Sequence, residues 1–83
     1  MKDKIIIIFH NCKKNKAVDL EVPLDITAAE LVMALNAAYE LGIDITDIKN
    51  CYLKAENPIA LLRGNKTLAQ YGIRSGSVIY YAE

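Results

Sequence analysis

The chain has 83 residues, 53% of them hydrophobic and 24% charged, with ten basic residues balancing ten acidic ones. That length builds one core and buries about 60–65% of the surface of the unfolded chain, so a single domain over residues 1–83 is expected. The charge balance excludes the strong positive field of a nucleic-acid binder, and the apolar content excludes a disordered tail.

The first apolar run, Ile5 to Phe9, is entirely β-branched or aromatic and predicts a strand. Lysines ahead of it give a superficial likeness to a signal peptide. The run is shorter than the roughly 7–15 residues of such a segment and far too short to cross a bilayer. A soluble, cytoplasmic chain without membrane insertion is the expectation. Asn11 to Lys16 is polar and asparagine-rich, which suits a hairpin loop. Ala17 to Val22 then alternates, with Val18, Leu20 and Val22 on one face and Asp19 and Glu21 on the other. Pro23 ends this second strand, because it has no N–H for a ladder.

Thr27 and Glu30 have the spacing of a capping box, so a helix is predicted from Ala28. Leu31, Val32, Leu35, Ala38 and Tyr39 form its apolar face, Asn36 and Glu40 lie opposite, and Met33 is an exposed exception. Gly42 supplies a left-handed residue to close the helix. In the connector that follows, Ile43, Ile45 and Ile48 are expected to tuck under the helix end. Cys51 to Ala55 predicts a third strand and Ile59 to Leu62 a short fourth one. Gly64 and Asn65 mark a turn that tolerates positive φ. Thr67 to Ile73 predicts a single helical turn stopped by Gly72, and Ser77 to Ala82 a final strand. One helix and four or five strands must pack as two layers. The predicted fold is α+β, a β-grasp: a mixed sheet with the helix across one face and the terminal strands paired at its centre.

Residues of catalytic type are sparse. His10 is the only histidine, at a strand end. Cys51 is predicted to point inward as an inert hydrophobe. Cys12 sits among lysines that would lower its pKa, yet no general base lies nearby in sequence. The two cysteines have no CxxC or metal-ligand spacing and read as free thiols rather than a disulfide scaffold. Asp44 and Asp47 lack the ligand density of a calcium loop. Lys13, Lys14 and Lys16 read as a solubilising run. No catalytic residue, cofactor or metal is assigned.

The stretches VDLEVPLDITAAELVMAL and LLRGNKTLAQYGIRSGSVIYY resemble ubiquitin along nearly the whole chain. The resemblance rests on Leu20-Glu21-Val22 before the helix, the Thr27 cap, Leu62 followed by a turn and Thr67-Leu68, and Tyr71 and Ile73 before the last strand. The leucine-rich helix, the Ile-Asp connector and the ending Tyr71-Gly72-Ile73-x-x-Gly76-x-x-Ile79 are more closely similar to the YukD/EsaB-like proteins. These are small bacterial ubiquitin-fold components of type VII (WXG100/ESX) secretion. The resemblance implies a non-enzymatic accessory subunit that docks on the cytoplasmic domain of a membrane-anchored secretion component. Ubiquitin-type modifiers and sulfur carriers act through a flexible Gly-Gly tail, where this sequence reads Tyr81-Ala82-Glu83. Conjugation or sulfur transfer is therefore the alternative, requiring a tail that the sequence does not carry, and a thiol enzyme based on Cys12 is a third reading.

Strand alternation locates the expected partner surface. Lys4, Ile6, Ile8 and His10 belong outside, with Ile5, Ile7 and Phe9 towards the helix. Lys54 outside carries Tyr52 with it and buries Cys51, Leu53 and Ala55. The ubiquitin pattern places Ile79 and Tyr81 inward and Val78, Tyr80 and Ala82 outward. If these three strands adjoin, Ile6, Ile8, Tyr52, Val78 and Tyr80 form one apolar patch, with Lys54 beside it, on the face away from the helix. A protein partner is expected there, with homodimerisation through the same face an open sub-case. The competing account is that strand propensity alone placed isoleucine and tyrosine on a solvated surface.

Overall fold

Four isoleucines and Phe9 form the middle of strand β1 (Lys4–Asn11) in the computed structural model, which describes residues 3–11, 14–44, 46 and 51–81. The hairpin partner is β2 (Lys16–Pro23), followed by helix α1 (Ala28–Tyr39) and strands β3 (Leu53–Glu56), β4 (Ala60–Leu62) and β5 (Val78–Tyr81). The strands make one sheet in the order β2-β1-β5-β3-β4. β1 is antiparallel to β2 and parallel to β5, whereas β3 is antiparallel to both β5 and β4. This is the mixed, centrally parallel sheet of the expected β-grasp.

Register sorts the side chains by face. Ile5, Ile7 and Phe9 stand opposite Val22, Leu20 and Val18 on β2, and Phe9 stands beside Ile79 on β5. Ile7, Phe9, Val32, Leu62, Leu68 and Ile79 are completely buried where this face meets α1. The helix contributes Ala28, Leu31, Val32 and Leu35, and the Tyr39 ring tilts against Phe9 with centroids 5.1 Å apart. The capping box forms as expected: the Thr27 hydroxyl accepts from the Glu30 N–H at 3.1 Å, and the Glu30 carboxylate accepts from the Thr27 N–H at 3.0 Å.

The helix end differs from the sequence expectation. Glu40, not Gly42, is the left-handed cap, at φ 52°, and Gly42 is a second left-handed residue at φ 77°. The cause is Leu41, which is buried and so requires the chain to reverse one residue before it. Asn36, expected on the solvated face, is half-buried and clamps the returning chain. Its amide donates to the Ile43 carbonyl at 3.0 Å, and its carbonyl accepts from the Ile43 N–H at 2.9 Å. Ile43 is thereby held in the core, whereas Ile45 and Ile48 lie outside the described residues. Ala38 is exposed rather than part of the apolar face.

The segment from Thr67 to Ile73 forms consecutive turns that include one helical-type bond, from the Tyr71 N–H to the Thr67 carbonyl at 3.1 Å, and Gly72 at φ 79° ends it as expected. Thr67 and Gln70 bond reciprocally there, and the Tyr71 hydroxyl donates to the Arg63 carbonyl at 2.7 Å. Of the two turn residues at 64 and 65, only Gly64 has positive φ. Cys51 packs against the core as expected but is half-buried rather than fully inside it.

The clamp is testable. Asn36→Ala leaves two backbone groups of Ile43 unpartnered and should cost about 1–3 kcal/mol in urea denaturation. Met33→Ala, on the exposed side of the same helix, should change stability by less than about 0.5 kcal/mol.

Candidate functional site

The opposite face of the sheet receives no helix among the described residues. Its side chains follow from the ladder. Ile8 on β1 stands beside Val78 on β5, and His10 stands beside Tyr80. Across β5, Val78 faces Glu56 and Tyr80 faces Lys54 on β3, while Lys54 in turn faces Leu61 on β4. Five of the six residues singled out from the sequence thus occupy adjoining positions on this face: Ile6, Ile8, Val78, Tyr80 and Lys54. Tyr52 lies one residue before β3 and is half-buried, and continuing the strand alternation puts it on the side of Lys54.

Exposure is graded across the patch. Ile6 is 44% exposed, while Ile8, Val78, Tyr80 and Lys54 are half-buried. Lys54 stands between Tyr80 and Leu61 in the ladder and is half-buried, a position from which a lysine stem extends an apolar surface. Charge confines the patch on both sides. Asp19 and Glu21 on β2 stand opposite Ile8 and Ile6, and Glu56 stands opposite Val78. An apolar centre with a charged rim is the anatomy of a protein–protein contact surface.

Sequence reasoning missed Leu61 and Ile59. Leu61 is 45% exposed and joins the patch through Lys54, and Ile59, at the start of the β4 hairpin arm, is 89% exposed. Their signal was the alternation Ile59-x-Leu61 beside the buried Leu62, too short to read until the pairing of β3 with β4 is known.

The turn before β5 holds the face in register. Gly76, at φ 92°, donates its N–H to the Ile6 carbonyl at 2.9 Å, and the Ile8 N–H donates to the Ser77 carbonyl at 3.0 Å. The buried Ser77 hydroxyl accepts from the Arg74 N–H at 3.1 Å and donates to the Asn57 carbonyl at 2.6 Å. This joins the start of β5 to the hairpin between β3 and β4.

No group of three or more histidine, cysteine or carboxylate side chains is placed to hold a metal among the described residues. Asp44 is engaged locally: its carboxylate accepts from the Thr46 hydroxyl at 2.6 Å and the Thr46 N–H at 2.9 Å. These bonds hold its pKa below the ordinary 3.8, the hydroxyl contributing most. A depressed carboxyl pKa adds stability that is complete above 3.8 and is lost as pH falls through the folded value. Cys12 and Ala82 lie outside the described residues.

Two predictions follow the geometry. Leu61→Ala and Tyr52→Ala should each lower stability by no more than about 1 kcal/mol, whereas Ile79→Ala, on the core side of β5, should cost about 2–5 kcal/mol. Thr46→Ala should raise the Asp44 carboxyl pKa towards its ordinary value, as read by carboxyl-carbon NMR titration, because both its hydroxyl bond and the turn it steadies are weakened.

Comparison with known proteins places this geometry. No curated protein matches the chain in sequence. Among solved structures, a ubiquitin-like domain from tubulin-binding cofactor B superposes with a TM-score of 0.75 at 15% identity, covering 96% of this chain and 89% of that one. The C-terminal ubiquitin-like domain of mouse tubulin-specific chaperone e gives 0.73 at 10% identity, covering 95% and 84%. The UBL domain of Plasmodium falciparum Dsk2 gives 0.62 at 17% identity, covering 96% and 100%. At such identities the likeness establishes the ubiquitin-like fold and nothing finer. Residues 6–80 match the family described as "WXG100 protein secretion system (Wss), protein YukD", a span that takes in both the core and the helix-free face. The chain belongs to the YukD family of the WXG100 protein secretion system.

Proposed function

We propose that this protein is a non-catalytic interaction subunit of the bacterial WXG100 (type VII) secretion apparatus. It docks in the cytoplasm on the cytoplasmic domain of a membrane-anchored component, using the helix-free face of its sheet, and is not conjugated to other proteins. The observation that carries this reading is the apolar centre of that face. Ile6, Ile8, Val78 and Tyr80 lie side by side where a one-sided sheet would ordinarily turn polar residues to water. Family membership supplies the machinery, and no helix among the described residues is long and apolar enough to cross a membrane. Docking on a component that is itself anchored would bring the chain to the membrane.

The same face supports a second reading, a homodimer through Ile6, Ile8 and Tyr80, since contiguous apolar strands also suit a two-fold contact. The conjugated-modifier alternative differs in chemistry, because it needs an activating enzyme and a covalent product.

The test is binding of the purified chain to the isolated cytoplasmic domains of the secretion membrane components, with light scattering on the chain alone. Ile8→Lys and Tyr52→Glu should each weaken the heteromeric complex by more than about thirty-fold while leaving the far-ultraviolet spectrum unchanged. Unchanged affinity in both variants contradicts the site. Self-association lost in the same variants favours the homodimer, and a covalent adduct formed with an adenylating enzyme favours the modifier.

A further inference from the structure

β2 (Lys16–Pro23) stands at one end of the sheet order, so no described strand pairs with its outer edge. It has eight residues, against three for β4 at the other end. A row of unpaired N–H and C=O groups of that length is a template for an added strand.

The side chains of β2 specify which strand. On the helix-free face, Asp19 and Glu21 stand opposite Ile8 and Ile6, so neither has a charged neighbour directly across the ladder. Glu21 reaches the Lys4 ammonium only obliquely, at 3.7 Å, with both side chains 60% exposed, a contact of little energy. On the helix face, Val18 and Leu20 stand opposite the fully buried Phe9 and Ile7. Unlike those residues they are only partly covered, Val18 being 37% exposed and Leu20 half-buried against the core margin. One face of the edge therefore carries two carboxylates with only the exposed Lys4 contact to offset them, and the other carries aliphatic side chains that are only partly covered.

A second copy of β2 does not meet this need. Antiparallel pairing of two β2 strands with faces matched gathers Asp19 and Glu21 of both copies on one surface, with like charges opposite or diagonal. We infer that the edge of β2 is a docking strand for an extended segment of another protein in which lysine or arginine alternates with valine, isoleucine or leucine. The basic residues pair with Asp19 and Glu21, the aliphatic ones cover Val18 and Leu20, and the backbones complete a sixth strand. This edge shares Asp19 and Glu21 with the rim of the patch centred on Ile8 and Tyr80 but binds through the β2 backbone, so the two assignments are told apart by where the backbone contacts fall.

The probe is the capped peptide Lys-Val-Arg-Val-Lys-Val, titrated into the 15N-labelled chain. Shift changes should concentrate in residues 16–22, with slowed hydrogen exchange at alternate β2 amides. Two further peptides carry N-methyl groups on alternate amides, one on the odd set and one on the even set. One should keep binding and the other lose it, because only one set faces the edge. Replacing the basic residues by glutamate should weaken binding at least about tenfold, and D19K/E21K should reverse that preference. The inference is overturned by absence of binding, by shifts centred on Ile8, Val78 and Tyr80 instead, or by equal behaviour of the two N-methylated peptides. The N-methyl comparison decides the matter even if the double variant does not fold.

Discussion

The parallel ladder between β1 and β5 is the constraint on which the rest of the structure depends. It joins the two ends of the described chain at the sheet centre, pairing Ile8 with Val78, Phe9 with Ile79, His10 with Tyr80 and Asn11 with Tyr81. Because strand side chains alternate, one register puts Phe9 and Ile79 into the core and Ile8, Val78 and Tyr80 on the opposite face. A slip of one residue would bury the wrong set on both sides. Parallel strands have no tight turn to set their register. The bonds from Gly76 to Ile6 and from Ile8 to Ser77 do so instead, and the buried Ser77 hydroxyl carries the constraint on to the turn between β3 and β4 through Asn57. Core and candidate surface are two consequences of one pairing.

That coupling explains how a chain this small retains an apolar outer surface. Among the described residues a single helix covers one side of the sheet, and its buried residues are used there. The outer side keeps isoleucine, valine and tyrosine at its centre and sets Asp19, Glu21 and Glu56 around them. On the proposed reading, these carboxylates would limit non-specific contact and favour a partner that is apolar at the centre and basic at the rim. Tyr80 suits this position, between His10 and Lys54 in the ladder, because tyrosine offers a large apolar body with a polar tip.

Much of this was legible in the residues, for identifiable reasons. The run from Ile5 to Phe9 could only be a strand, and the charged Lys4 with the polar His10 told which side was out. Thr27 and Glu30 marked the helix start because capping is local chemistry. The helix end was not legible: Gly42 looked like the cap, but burial of Leu41 forces the reversal at Glu40, a tertiary demand that no local signal carries. Asn36 looked like a solvated helix residue for the same reason, since its partner Ile43 arrives only after the chain turns back. Leu61 escaped notice because a three-residue strand is too short to show a period. The acidic pair on β2 was visible as alternation, but its place on an edge strand depends on the strand order.

The claim that the helix-free face is the working surface is tested most directly by photo-crosslinking in the native host. A photoreactive residue at Tyr80 is compared with one at Met33, which is 50% exposed on the helix side. The account predicts a crosslink from position 80 to a membrane-anchored component of the secretion apparatus, and none to that component from position 33. A crosslink to that component from position 33 alone would contradict it.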